Sequence, residues 1–182
     1  MKRKLFLLLT ASILSMSCIG SAFASSNEFE PYYDEEGTLI TPAGGYNGVL
    51  LEDKEETSPR MTSNLLFEMS YSLSPKGWID TSQSSKPKYL MSNDISNGVL
   101  EIYSSPDSSN KKGNLTIGLC YVDANGLMSM PYNLRGTFSA TQDETQHIYN
   151  PKLKVKTKYY GEVVNDSGSN RASGTVEFID LD

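Results

Sequence analysis

Leu65, Phe67, Met69, Tyr71 and Leu73 occupy every second position, with Glu68, Ser70 and Ser72 between them. Successive side chains of a strand point to opposite faces, so a period of two specifies a strand with one buried face. The pattern recurs along the chain. Residues 99–103 alternate after the turn residues Ser96-Asn97-Gly98 and stop near Pro106. Leu115, Ile117, Leu119 and Tyr121 share one face of the next run, with Thr116, Gly118 and Cys120 on the other. Asp123-Ala124-Asn125-Gly126 follows, and an Asn-Gly pair supplies the positive backbone angles of a tight hairpin turn. Residues 127–130 are therefore predicted to return antiparallel. Further strands are predicted over 136–141, 152–164 and 173–179, and Ser74-Pro75-Lys76-Gly77 predicts a stop to the first one. No amphipathic helical pattern exceeds two turns. A parallel sheet needs helical crossovers, so the expected fold is all-β: a single antiparallel β-sandwich, jelly-roll or immunoglobulin-like.

The first residues follow a different logic. Lys2, Arg3 and Lys4 precede an apolar run that ends at Ala22-Phe23-Ala24. A cationic start, a short apolar stretch and a small-x-small site form a secretory signal peptide, assigned to 1–24. The run from Leu5 to Ile19 is shorter than the ~20 residues that span a bilayer. No second apolar run of that length follows, so no transmembrane segment is expected in the mature chain, which is read as secreted. Lipid anchoring at Cys18 is a minor alternative: the Leu that such a signal carries stands at Leu14, one position too far upstream.

Charge divides what remains. The 182-residue chain carries 16 Lys and Arg against 22 Asp and Glu, a net charge of −6. Cleavage after Ala24 leaves 13 against 22, a charge of −9. Nine of the acidic residues fall within 25–60, opposed only by Lys54 and Arg60. Pro31, Pro42, Pro59 and Gly44-Gly45 interrupt any long element there. This segment is expected to be an acidic, largely disordered leader, with short edge strands at Leu39-Ile40 and Val49-Leu50-Leu51 and with Tyr32, Tyr33 and Tyr46 as contact points. Residues 61–182 form the expected β-sandwich domain. With 13 acidic and 11 basic residues it is nearly neutral.

These counts exclude several chemistries. Sequence-independent nucleic-acid binding draws its affinity from Lys and Arg neutralising phosphates, which an acidic chain disfavours. His147 is the only His, and cleavage leaves Cys120 as the only Cys. One imidazole and one thiol make no zinc set, and one thiol makes no internal disulfide. Cys120, in an alternating apolar run, is read as a buried small hydrophobe. The loops at 123–126 and 166–170 hold oxygen ligands, but Asp, Asn, Ser and Gly are what hairpin turns are made of. No Ser sits in a Gly-x-Ser-x-Gly turn, and no phosphate loop or dinucleotide fingerprint occurs. The expectation is no catalytic residue, no metal and no cofactor.

Binding is the favoured function. Trp78, Tyr159 and Tyr160 are the candidate stacking residues, because aromatic rings beside polar loops stack on sugars or peptide side chains. For Trp78 the competing expectation is a core plug beside Ile79. Lys154, Lys156 and Lys158, alternating along the predicted strand 152–164, are candidate contacts for an anionic polymer. The expected partner is a cell-wall polysaccharide or a surface protein. The alternative is a small secreted glycan-active hydrolase using carboxylates, with Glu68, Glu101 and Glu177 as candidates.

Overall fold

The computed structural model describes residues 30–51, 64–96 and 98–181. Residues 1–24, read from the sequence as a signal peptide and including Cys18, and residues 25–29 and 52–60 of the segment read as a leader lie outside the described residues. The described chain forms β1 (Tyr32–Tyr33), β2 (Leu39–Pro42), β3 (Tyr46–Leu51), β4 (Leu65–Asp80), β5 (Val99–Pro106), β6 (Asn114–Val122), β7 (Leu127–Met130), β8 (Arg135–Ser139), β9 (Glu144–Tyr149), β10 (Tyr160–Asn165) and β11 (Ala172–Asp180), with 3-10 turns at Thr81–Gln83 and Tyr132–Leu134. The fold is an antiparallel β-sandwich. Among the described residues no helix is long and apolar enough to cross a membrane.

The strands form one hydrogen-bonded path, β1-β2-β7-β6-β10-β4-β11-β5-β9, with β3 on β4 and β8 on β6. The path becomes two layers at β4. Its end, Trp78–Asp80, pairs with β10, whereas its start, Leu65–Leu73, pairs with β11. β3 follows β4 through both layers, with Tyr46 opposite Trp78 and Gly48 opposite Leu73. Residues 74–77 therefore face Asn47 alone. Ser74-Pro75-Lys76-Gly77, expected to end the strand, instead bulges it, and a bulge bends and twists the strand that carries it. The backbone is left-handed at Asn47 (φ 51°) and Lys76 (φ 58°). A Cβ on Gly77 would lie 2.7 Å from the Asn47 carbonyl oxygen, so only glycine fits that crossing.

The inward faces match the alternation of the sequence from Phe67 onward; Leu65, beyond a register shift between Phe178 and Ile179, is exposed instead of buried. Phe67, Met69, Tyr71 and Leu73 pack with Leu115, Ile117 and Leu119, with Leu100 and Ile102, and with Val176 and Phe178 in one core. The layers meet closely at Gly161: a Cβ there would stand 2.8 Å from Phe178 and 2.9 Å from Phe67, whose rings stack at 4.7 Å. The predicted hairpin forms, but of the Asn-Gly pair only the glycine is left-handed. Gly126 takes φ 79°, and Asp123 Oδ1 accepts from the amides of Asn125 and Leu127 at 2.8 and 2.9 Å.

Two further expectations are corrected. Residues 30–51 are not a largely disordered leader but form β1–β3, including both expected edge strands. Asp34, Glu35 and Glu36 stay exposed in the β1–β2 turn, while Leu39, Ile40 and Thr41 are buried. The arm made by β1 and β2 pairs through β7 with the end of β6. It covers the outer face of the first layer, and Leu39, Trp78, Cys120, Met128, Met130 and Val164 form a second, smaller core there. The strand expected over 152–164 begins only at Tyr160. The Lys154 amide donates to the Tyr159 hydroxyl at 2.9 Å and the Thr157 amide to the Lys154 carbonyl, which coils 152–158 into turns. β9 was not foreseen.

Candidate functional site

The bulge that bends β4 also builds a concavity. Where Pro75 and Lys76 swing out, β1, β3 and the end of β10 converge on a cleft of about 320 Å³. Its aromatic wall is Tyr33 and Tyr46, each with about half its surface free, at 55% and 46% exposure. Tyr46 stacks on Trp78 with ring centroids 5.1 Å apart and planes inclined by 28°. Trp78 is the buried floor, and its Nε1 donates to the Pro42 carbonyl at 3.1 Å. Arg135 lies over the Tyr33 ring, Cζ 4.8 Å from the centroid, a cation–π contact that fixes the ring's inclination.

Polar groups surround these rings. Glu30, Asn47, Lys76, Asn165 and Asp166 line the cleft. Asn165 is already committed, its Nδ2 donating to the carbonyls of Ser74 and Asn170 at 3.0 and 2.8 Å. Asp166 accepts from Thr116 Oγ1 at 2.9 Å. Burial pushes the Asp166 carboxyl up, opposed by the Thr116 hydrogen bond and by the charges of Lys76 and Arg135. Two left-handed non-glycine residues, Asn47 and Lys76, face one another across the bulge at the rim. A lysine in this region is sterically costly, and such strain clusters at binding sites.

The residues singled out in the sequence distribute differently. Trp78 is a buried plug, as the competing expectation had it, and reaches the cleft only as its floor. Tyr159 is buried in the main core. Tyr160 is half-buried beside the second core, edge-on to Tyr89 at 6.2 Å. Lys154 sits 4.3 Å above the Tyr121 ring and donates to its hydroxyl at 3.0 Å; Lys158 sits 4.4 Å above Tyr89. Lys156 is exposed in a turn at φ 61°. The lysines thus lie on a looped patch beside Tyr89, Tyr121 and Tyr160, not along one strand face.

Tyr33 and Tyr46 were legible as contact points of the leader, but nothing local placed them against Trp78. Lys76 and Asp166 carried only turn signals. Glu68 and Glu177 are cross-strand partners on the outside of the second layer. Glu101 there meets His147, Oε2 to Nε2 at 2.9 Å. None of these four lines the cleft. Cys120 is fully buried, and burial holds its thiol well above the ordinary range, which suits a packing role and not a nucleophile. Among the described residues no group of three or more His, Cys, Asp or Glu is placed to hold a metal ion.

No family model matches the chain, and no curated protein does. Two of the solved structures similar to it are carbohydrate-binding modules. One is a carbohydrate-binding module of the β-sandwich superfamily, described for promiscuous specificity, with 11% identity and a TM-score of 0.45 over 82% of this chain. The chain spans 58% of that structure's length. The other is a carbohydrate-binding module specific for non-crystalline cellulose, with 11% identity, a TM-score of 0.30, and coverage of 81% of this chain and 84% of that one.

Proposed function

We propose that this is an exported, non-catalytic protein that holds a glycan chain in the Tyr33–Tyr46 cleft. The carrying observation is the cleft itself: two half-exposed tyrosine rings, one backed by a buried tryptophan, beside carboxylate, amide and ammonium groups. Sugar rings offer apolar C–H faces ringed by hydroxyls. A ring platform with polar side chains at its margin matches both features. The volume suits one or two sugar units, with the chain running out along the rim. Glu30 and Asp166 against Lys76 leave the lining with a formal charge of −1, which favours an uncharged sugar over a polyanion. The two structures described above are carbohydrate-binding modules, but the proposal stands on the cleft. The export part rests on the sequence of residues 1–24.

The test is isothermal titration against a panel of soluble oligosaccharides, with Tyr33→Ala and Tyr46→Ala alongside. A stacked ring contributes about 0.5–1.5 kcal/mol beyond its buried area, so each variant weakens binding by at least roughly two- to tenfold. Saturable binding that survives both substitutions unchanged removes the cleft as the site.

A second reading has one specific observation behind it. Lys154 and Lys158 stand over tyrosine rings on the 151–160 loop, with Lys156 exposed between them, and could meet an anionic polymer there. Such binding weakens steeply with salt. Affinity that is flat between low and high salt removes this reading.

A further inference from the structure

The arm that carries Tyr33 is fastened down by two carboxyl groups that water does not reach. Asp80 on β4 and Glu162 on β10 are cross-strand partners on the outer face of the first layer, and both are fully buried. β2 and the turn after it lie over them. Thr41 Oγ1 donates to Glu162 Oε1 at 2.5 Å, and the Gly44 amide donates to Asp80 Oδ2 at 2.9 Å. Asp80 Oδ1 accepts further from the Ser82 amide at 2.8 Å and from the Ser82 hydroxyl. Among the described residues Glu162 Oε2 has no hydrogen-bond partner within bonding geometry, and the Cys120 thiol is the group that acts on the carboxyl from β6.

The groups acting on Glu162 are Thr41 from β2, Asp80 from β4 and Cys120 from β6; no cation is among them. The Cys120 thiol stays neutral beside the pair because burial holds it well above its ordinary range. Adjacent carboxylates in a dry site do not both ionise without cost. Burial raises the Glu162 carboxyl above its ordinary range, so the retained proton belongs on Glu162.

We propose that this buried carboxyl pair makes the β1–β2 arm a pH-dependent cover: with one proton on the pair the arm lies closed over Trp78, and loss of that proton lifts it. The connections of the arm allow this. Among the described residues β2 pairs only with β1 and β7, and β7 joins β6 only through Tyr121 and Val122. The arm is also held by contacts that involve side chains, among them Thr41 to Glu162, Gly44 to Asp80, Trp78 to Pro42, Arg135 to the Tyr33 ring, and the second core. Burial first, with the charge of Asp80 behind it and against the Thr41 hydrogen bond, pushes Glu162 up to about 8. The closed state is therefore favoured at acid and neutral pH and is lost as pH rises through about 8. For the ligand the consequence rests on the glycan reading, since lifting the arm removes Tyr33 from the cleft. The motion itself does not rest on it.

Trp78 is the only tryptophan in the chain and lies directly under the arm, so its fluorescence reads the motion with no ligand present. Between pH 6 and pH 9 its emission should move to longer wavelength and acrylamide quenching should rise several-fold, reversibly, while the far-UV circular dichroism of the sandwich persists. Glu162→Gln should keep the emission blue and protected at pH 9. Hydrogen exchange of residues 30–44 in the unmodified protein, corrected for the intrinsic pH dependence of exchange, should rise over the same range and serves if the variant does not fold. Emission and exchange that do not change with pH, or a transition retained in Glu162→Gln, overturn the proposal. Glycan titration at pH 6 separates the two ideas. No binding with an intact transition removes the cleft and leaves the cover; binding without a transition does the reverse.

Discussion

Replacing Glu162 by glutamine should change how the stability of the whole protein depends on pH. In the folded chain the carboxyl titrates at about 8, against an ordinary value of 4.5. The folded state therefore binds this proton more tightly than the unfolded state. Its stabilising contribution is complete below about pH 4.5 and is lost progressively as pH rises to about 8. Each unit of separation corresponds to about 1.36 kcal/mol, so the gap corresponds to roughly 5 kcal/mol if the arm stays down. Lifting the arm lets water reach the carboxylate and limits the loss, so about 2–5 kcal/mol is expected. Glutamine keeps the shape and an acceptor for Thr41 but cannot ionise. Urea unfolding followed by circular dichroism, at half-unit intervals from pH 5 to pH 9, gives both curves. The unmodified protein should lose stability relative to the variant with a slope approaching 1.4 kcal/mol per pH unit. Curves that run parallel across the range refute the assignment of the proton to Glu162.

Three other substitutions test separate parts of the fold. Gly161→Ala drives a methyl group to within 2.8 Å of Phe178 and 2.9 Å of Phe67; overpacking of this kind costs about 1–3 kcal/mol, read as a lowered melting temperature, and an unchanged value would place the layers further apart. Gly126→Ala meets no neighbouring atom but sits at φ 79°, so its cost is backbone strain alone, about 1–2 kcal/mol in a urea titration. His147→Ala removes a partly exposed pairing with Glu101 and should move stability by less than about 0.5 kcal/mol; a large loss would mean that the edge strand β9 depends on that pair.

The main sandwich could be read from its alternation because one buried face is a local property. Leu65 to Leu73, residues 114–122 and the Asn-Gly hairpin each carry the whole signal within a few residues. The arm could not be read in this way. Its acidic residues cluster at the Asp34–Glu36 turn, where they stay wet, while Leu39, Ile40 and Thr41 find partners on β7 and β10, some 90 to 120 positions away. Averaged over 25–60, the charge concealed a three-residue buried run. The same long-range pairing explains why both faces of β6 are buried: Cys120 and Thr116 lie on the outer face that the arm and its neighbours close. At Ser74-Pro75-Lys76-Gly77 the turn chemistry was seen but not its use, because a bulge and a stop share the same residues. The lysine alternation at 152–158 looked like a strand, yet it has no neighbouring strand to pair with. Trp78 shows the limit most clearly. Its burial was among the expectations, but its partners Tyr46 and Pro42 belong to the segment read as leader, so the cleft they build had no signature of its own.

Chemical-shift mapping with a bound oligosaccharide at pH 6 tests the glycan-binding cleft most directly. Shifts concentrated on Tyr33, Tyr46, Asn47, Lys76 and Asp166 and on the Trp78 indole are the expected result. Shifts centred instead on Tyr89, Lys154 and Tyr160, or on the outer face carrying Glu68, Glu101 and Glu177, would contradict it.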